Sequence, residues 1–167
     1  MKIRKILAPV DFSDVSEHAL SYATGLAADL GAKMLVIYVV EPIVFAGSPI
    51  APEMSVPHLI EDQRRAAAES VDKLVARLAK RKIEVEGMVR TGTAYHVIVD
   101  SAAAESCDLI IMGTHGRGGL GHFLLGSVAE KVVRLSPCPV LTVRGGDQPA
   151  KQKTKGAKAR KKSAEKG

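Results

Sequence analysis

A glycine-rich segment at residues 113–127 has the residue types and spacing best suited to chemistry. It reads Gly-Thr-His-Gly-Arg-Gly-Gly-Leu-Gly-His-Phe-Leu-Leu-Gly-Ser, and it lies between an apolar run at 109–112 and a predicted helix at 128–135. Glycines let a backbone approach a ligand closely, and the unpaired amides in the first turn of a helix attract phosphate. The pattern therefore predicts an anion-binding loop between a strand and a helix.

Two other phosphate-binding patterns can be compared with this loop. Residues 116–121 also fit G-x-G-x-x-G, but no acidic residue that could bind a ribose follows about 20 residues later, so NAD is disfavoured. The P-loop ending in Gly-Lys-Ser/Thr is missing, so no lysine is placed on a terminal phosphate and fast phosphoryl transfer is not expected. A flexible connection without a ligand is the alternative interpretation of such a loop.

The segments around the loop alternate between strand and helix patterns. Ser13 or Asp14 can cap the first helix and Gly31 can end it, while Thr93 can cap the third helix. This alternation predicts an α/β fold with a single open five-stranded parallel sheet and helices on both faces. The predicted strands are 3–10, 34–40, 83–89, 109–112 and 139–143, and the predicted helices are 14–30, 58–80, 94–105 and 128–135.

The net charge of +6 is confined to the last part of the chain. Residues 145–167 contain eight Lys and Arg against two acidic residues, whereas residues 1–144 contain 16 basic and 16 acidic residues. Residues 145–167 also lack apolar side chains that could form a core, which predicts a disordered basic tail. Residues 1–144 are expected to form one domain.

Composition excludes several classes of protein. No apolar run approaches the roughly 20 residues that span a bilayer, and we expect a cytoplasmic location. Two cysteines are too few for a disulfide scaffold and lack metal-ligand spacing, so no metal site is assigned. Cys107 and Cys138 precede neighbouring predicted strands, where they either stay as reduced thiols or pair under oxidation.

The spacing of Gly113, Gly116, Gly126 and Ser127, G-x2-G-x9-G-S, resembles the nucleotide-binding signature of the universal stress protein family. The segment at residues 8–13, Ala-Pro-Val-Asp-Phe-Ser, is similar to the first-strand motif of that family. The resemblance covers residues 3–144 and implies a flavodoxin-like (Rossmann-like) strand order of 3-2-1-4-5. In that order the connections after strands 1 and 4 leave on opposite faces, and their carboxyl ends frame a ligand-binding crevice.

The resemblance implies that this crevice binds ATP, together with Mg. Asp11 and the backbone of Val39 would contact the adenine end, while Gly113 and Gly116 would allow close approach to the ribose and phosphates. Gly126, Ser127 and Val128 would offer backbone amides to the phosphates. The implied contact residues are Pro9, Asp11, Val39, Met112, Gly113, Gly116, Gly126, Ser127 and Val128. No residue is assigned a catalytic role, and Asp11 has the alternative role of a residue that precedes and caps a helix.

The function that the resemblance implies is an ATP-binding stress-response protein. Nucleotide would order the glycine loop as a switch that a partner reads, with at most slow hydrolysis. The resemblance also suggests a homodimer through residues 139–143, an apolar edge strand. Two alternatives stay open: a nucleic-acid-associated dimer whose basic tail binds phosphates weakly and without sequence preference, and a true ATPase or phosphotransferase.

Overall fold

The computed structural model describes residues 2–42, 56–114 and 125–144, with only the backbone of residues 56 and 57. Within these ranges strands and helices alternate along the chain. The elements are β1 (Lys5–Pro9), α1 (Asp14–Leu30), β2 (Lys33–Val40), α2 (Val56–Ala79), β3 (Val85–Thr91), α3 (Ala94–Ala104), β4 (Leu109–Gly113), α4 (Ser127–Leu135) and β5 (Val140–Val143). Gly116 and the basic tail lie outside the described residues.

The strands form one parallel sheet in the order β3-β2-β1-β4-β5. Leu7 of β1 is the register partner of Leu35 in β2 on one side and of Ile110 in β4 on the other. β1 is therefore central, and β5 is an edge strand that pairs with β4, with Ile111 opposite Leu141. The predicted α/β class and strand order are confirmed.

Successive residues of the central strands face opposite sides of the sheet, because side chains alternate along a strand. Ile6 belongs to a buried cluster with Leu20 of α1 and Leu74 of α2. Leu7 belongs to a second buried cluster with residues of α3 and α4, including Ile98 and Val132. Helices α1 and α2 thus cover one face and α3 and α4 the other, as predicted.

The capping residues on either side of α1 account for where the helix begins and ends. It spans the predicted residues, and the Ser13 side chain at its N-cap accepts a hydrogen bond from the amide of Ser16. Gly31 ends the helix with φ of 62°, the left-handed conformation that glycine adopts at little steric cost. The capping prediction is confirmed for Ser13 rather than Asp14.

Most element boundaries differ from the sequence expectation by one or two residues, as in β1, which is observed at Lys5–Pro9 rather than 3–10, and two of these differences have a clear physical reason. The strand expected at 83–89 is observed at Val85–Thr91, because its pairing with β2 continues to the end of that strand, where Val40 is opposite Thr91. The helix expected from residue 58 begins at Val56 and includes Pro57 in its first turn, where a proline has no intrahelical hydrogen bond to lose. The pattern of apolar residues alone shows neither which residues a strand pairs with nor where the first turn of a helix begins.

Helix α2 approaches β3 closely at Gly87. A Cβ atom added there would overlap Cγ1 of Val71 and would lie 2.9 Å from Cγ2 of Val75. Gly87 therefore allows α2 to pack closely on β3, and it lies within the strand rather than in a turn.

Candidate functional site

The topology creates a crevice where β1 and β4 lie side by side. After β1 the chain continues into α1 on one face of the sheet, and after β4 it continues into α4 on the opposite face. In open α/β sheets ligands bind outside the carboxyl ends of the strands at such a switch point. The strand order confirms that the ends of β1 and β4 are neighbours, which is the position where the sequence predicts a ligand.

The structure places most residues of the predicted site along this edge. Pro9 ends β1, Asp11 lies just beyond it, and Val39 lies near the end of β2. Met112 and Gly113 end β4. Gly126 is the N-cap residue of α4, and Ser127 and Val128 form the first turn of that helix. Gly116 falls outside the described residues.

Thr114 joins the two ends of the glycine loop. Its amide donates to the carbonyl of Val143 at 2.9 Å, and its carbonyl accepts from the amide of Gly126 at 2.7 Å. Thr114 is also buried. The end of β5, the end of β4 and the start of α4 are thereby held together at the base of the loop. The amide of Gly126 is already bonded to protein, which differs from the expectation that it faces phosphate.

The N-terminus of α4 carries amides without an intrahelical acceptor. The first bond inside the helix runs from the amide of Glu130 to the carbonyl of Gly126, at 2.9 Å. The amides of Ser127, Val128 and Ala129 precede it, as in any α-helix. The N-cap residue makes no side-chain capping hydrogen bond. The positive end of the helix dipole thus lies at the carboxyl edge of the sheet.

The starts of α1 and α3 differ from this arrangement, because each receives a side-chain acceptor. Ser13 accepts from the Ser16 amide at 3.3 Å in α1. In α3 the carboxylate of Glu41 accepts from the amide of Ala94 at 2.8 Å. Thr93, the predicted cap, occupies the N-cap position without a side-chain capping bond. Among these three starts, α4 alone receives no side-chain cap from the part of the chain that the structure describes.

Asp11 lies in a tight turn with Ser13. Its Oδ1 atom accepts from the Ser13 hydroxyl at 2.6 Å and from the Ser13 amide at 3.1 Å. The amide of Asp11 contacts the hydroxyl of buried Ser16 at 3.4 Å. The alternative interpretation is thus half correct, because Asp11 supports the start of α1 although Ser13 is the cap. The signal that could have revealed this is the Asp-x-Ser spacing, since an Asp side chain commonly accepts from an amide two residues later.

Phe12, between these two residues, has an unusual backbone. Its φ is 60°, in the left-handed region that a bulky side chain rarely occupies. The ring stacks on Tyr38 of β2 with a centroid separation of 5.4 Å. The turn that carries Asp11 is therefore anchored to the neighbouring strand.

Groups with a shifted pKa lie at the opposite, amino edge of the sheet. Hydrogen bonds from the amides of Arg4 and Lys5, at 2.8 and 3.0 Å, lower the pKa of Asp108. Burial raises the pKa of the Cys107 thiol to about 11. Cys107 and Cys138 are both free thiols. These shifts accompany the joining of β1 to β4 and lie away from the crevice.

Within the described ranges 2–42, 56–114 and 125–144, no group of three or more His, Cys, Asp or Glu side chains is placed so that it could hold a metal ion. Over the same part of the chain, no helix is long and apolar enough to cross a membrane.

The comparison with known families shows which family the chain belongs to. The profile of the universal stress protein family matches residues 2–144. The chain belongs to the universal stress protein family. It is 34% identical over 142 residues to a universal stress protein of Methanocaldococcus jannaschii, a match that covers 84% of this chain and 82% of the relative.

Solved structures of universal stress proteins share the fold. UspA from Lactobacillus plantarum superposes with a TM-score of 0.76 at 25% identity, covering 86% of this chain and 99% of that one. A universal stress protein from Archaeoglobus fulgidus, solved in complex with dAMP, superposes with a TM-score of 0.58 at 23% identity. That match covers 86% of this chain and 99% of the archaeal protein.

Proposed function

We propose that this universal stress protein binds an adenine nucleotide, ATP with Mg²⁺, in the crevice between β1 and β4 and acts as a nucleotide-dependent switch. The observation that carries the proposal is the start of α4, whose first-turn amides receive no side-chain cap from the described residues and lie at the switch point of the sheet. An uncapped helix N-terminus offers both N–H donors and a favourable dipole to a phosphate.

The residues along the edge suit the parts of the ligand. Half-buried Pro9 offers apolar surface to a base, whereas the side chain of Met112 is buried in the core. The backbone of Val39 and the carboxylate of Asp11 offer polar contacts at the adenine end. The exposed hydroxyl side chain of Ser127, next to the open amides, suits a phosphate oxygen. Mg²⁺ at such a site would be held mainly by phosphate oxygens and water, which is its usual coordination beside nucleotides.

The dAMP bound to the Archaeoglobus fulgidus protein supports an adenine nucleotide as the ligand class. That ligand has the same base as ATP and a single phosphate. The choice of a triphosphate for this chain rests on the glycine spacing that ends in Gly126 and Ser127.

The proposed switch is a change in the surface between Gly113 and Gly126 when nucleotide binds, which a protein partner then recognises. Because Thr114 bonds to both Val143 and Gly126, the ends of this segment are fixed to the sheet and to α4. A ligand at the start of α4 would therefore act on the residues between these fixed ends. Slow hydrolysis would return the surface to its initial state. We place this switch in the cytoplasm, which cell fractionation can test.

Small molecules released from the purified protein and identified by mass spectrometry test the ligand directly. In thermal unfolding, Mg-ATP at a hundredfold excess over its dissociation constant should add about 2.7 kcal/mol to the unfolding free energy. Mg-GTP and inorganic tripolyphosphate serve as controls for the base and for the phosphates alone. Equal responses to ATP and tripolyphosphate would reduce the site to an anion site, and no response to any adenine nucleotide would refute the proposal.

The proposed functional unit is a homodimer paired through β5. This strand lies at the sheet edge, and all four of its residues are half-buried. On the adjoining α4, Val133 and Leu135 are 46% and 56% exposed. An apolar edge with unpaired backbone groups is suited to antiparallel pairing about a two-fold axis. Light scattering at micromolar concentration should give the dimer mass, and a monomer would contradict this arrangement.

A second candidate function, nucleic-acid binding by residues 145–167, rests on the charge distribution. Because residues 1–144 are charge-neutral, the whole excess of positive charge lies in that tail. A run of lysines separated by small residues binds phosphates rather than base edges.

A further inference from the structure

We propose that Ser13 is a positioning residue that holds the Asp11 carboxylate in the orientation needed to accept a hydrogen bond from the nucleotide. The inference rests on the proposed nucleotide site and assigns a second role to a residue that also caps α1. Its basis is the short hydrogen bond from the Ser13 hydroxyl to Oδ1 of Asp11, at 2.6 Å.

The Ser13 hydroxyl has two partners. It donates to Asp11, and it accepts from the amide of Ser16 in the first turn of α1, at 3.3 Å. The Ser13 amide adds a second donor to the same Oδ1 atom, at 3.1 Å. One carboxylate oxygen is therefore fixed by two donors from the same residue, and that residue is fixed by the helix. Rotation of the Asp11 carboxylate is restrained before any ligand arrives.

The backbone at Phe12 brings these groups together. Its left-handed conformation, with φ of 60°, turns the chain so that Ser13 returns to the side chain of Asp11. A non-glycine residue adopts this conformation at a steric cost, because its Cβ atom comes close to the following carbonyl oxygen. Stacking of the Phe12 ring on Tyr38 offsets part of that cost and ties the turn to β2, the strand that carries Val39.

A restrained carboxylate favours binding for a specific chemical reason. An ionised carboxylate only accepts hydrogen bonds, so it recognises a donor such as the exocyclic amine of adenine and disfavours the O6 acceptor of guanine. Orienting the group in advance removes a cost that would otherwise be paid on binding. Loss of the Ser13 hydroxyl should therefore weaken nucleotide binding only while Asp11 is present.

The test is a double-mutant cycle in the full-length protein, with the dissociation constant for Mg-ATP measured by calorimetry. Ser13→Gly removes the hydroxyl, and glycine is itself among the preferred N-cap residues, so the change weakens α1 only slightly. We expect this change to weaken binding about tenfold in the wild-type background and less than twofold in an Asp11→Ala background. Ser13→Thr keeps the hydroxyl and should bind within about twofold of wild type.

Thr93→Gly is the matched control, because it makes the corresponding change at the N-cap of α3, where the side chain forms no capping bond. It should leave Mg-ATP binding unchanged. Thermal unfolding of each variant without ligand shows that it is folded.

The possible outcomes separate the two proposals. If Ser13→Gly weakens Mg-ATP binding equally with and without Asp11, Ser13 has a structural role only. If Ser13→Gly does not weaken Mg-ATP binding at all, the positioning role is also overturned. If wild type binds Mg-ATP and Asp11→Ala binds equally well, Asp11 is outside the site and the positioning role fails while nucleotide binding stands. A wild-type protein that binds no adenine nucleotide overturns the proposed function itself, and the positioning role with it.

Discussion

Replacing Gly126 by aspartate should change folding and binding in opposite directions. Gly126 has φ of −62° and ψ of 152°, an extended conformation that any residue adopts, so the backbone does not require glycine there. It is also the N-cap of α4, a position at which aspartate is among the preferred residues. The Gly126→Asp side chain should therefore occupy the open amides that we assign to phosphate.

The expected gain in stability combines two contributions. Aspartate improves on a glycine cap by a few tenths of a kcal/mol, and a negative charge at a helix N-terminus adds about 0.3–1 kcal/mol. A total of about 1 kcal/mol corresponds to a rise in melting temperature of roughly 2–4 °C for a chain of this size. The ligand-free variant should therefore melt at a higher temperature than wild type.

The expected loss of binding is larger. A carboxylate about 4 Å from a phosphate charge is repelled by about 1 kcal/mol in water and by about 4 kcal/mol at the effective dielectric constant near a protein surface. Because each 1.4 kcal/mol is about tenfold, Mg-ATP affinity should fall by about fivefold to about 700-fold.

Differential scanning fluorimetry with and without Mg-ATP, supported by calorimetry, measures both effects. Gly126→Asn is the matched control, since asparagine is a similar cap of nearly equal size without the charge. It should lose less affinity than Gly126→Asp, and the difference between the two variants reports the charge. An aspartate variant that keeps the full wild-type response to Mg-ATP would refute the assignment of phosphate to the start of α4.

Further predictions concern packing, pH and the tail. Gly87→Ala should lower the unfolding free energy by about 1–3 kcal/mol, because the added methyl group overlaps with α2. Gly25→Ala should raise it by about 0.5–1 kcal/mol, because Gly25 lies within α1 and an added Cβ atom would have nothing within 4 Å. Urea denaturation of the two variants checks these opposite signs. Asp108→Asn should destabilise the protein at pH 7, and the difference in melting temperature from wild type should shrink as the pH falls below 4. The reason is that a carboxyl group with a lowered folded-state pKa stabilises the protein only while it is ionised. Thermal melts across pH test this, and a difference that stays constant with pH would contradict it. If four cations of the tail contact phosphates, the logarithm of the full-length protein's affinity for DNA should fall against the logarithm of the salt concentration with a slope of about −4. Deletion of residues 147–167 should abolish this DNA binding and leave Mg-ATP affinity unchanged. Unchanged DNA binding after the deletion would exclude the tail as the contact.

Much of the fold could be predicted because its signals are local. The first helix was predicted from Asp14 to Leu30 because a capping serine precedes it and a glycine follows it, and both act within one helical turn. The apolar run of β2 predicted a strand covered on both faces, since every residue must meet a hydrophobic layer. The strand order came from the family resemblance, because alternation of strands and helices is compatible with several orders.

Contacts between distant residues could not be predicted in this way. Glu41 caps α3 although 53 residues separate it from Ala94, and the sequence instead indicated Thr93, the local candidate. Likewise, the bond between Thr114 and Gly126 occupies an amide that the family resemblance assigned to phosphate. Each depends on where the sheet places the ends of its strands.

The sequence by itself determined the elements, the neutral charge of residues 1–144 and the basic charge of residues 145–167, and the glycine spacing before α4, because helix caps, apolar periodicity and charge are local properties of the chain. The tertiary structure decided which donors and acceptors of the site are in use. The parallel sheet brings the ends of β1, β2 and β4 to one edge, and α1 and α4 leave that edge on opposite faces. Hydrogen bonds formed there fix Asp11 through Ser13, since a buried donor or acceptor bonds to whichever partner the fold brings within reach. The described residues provide no side-chain cap for the first amides of α4.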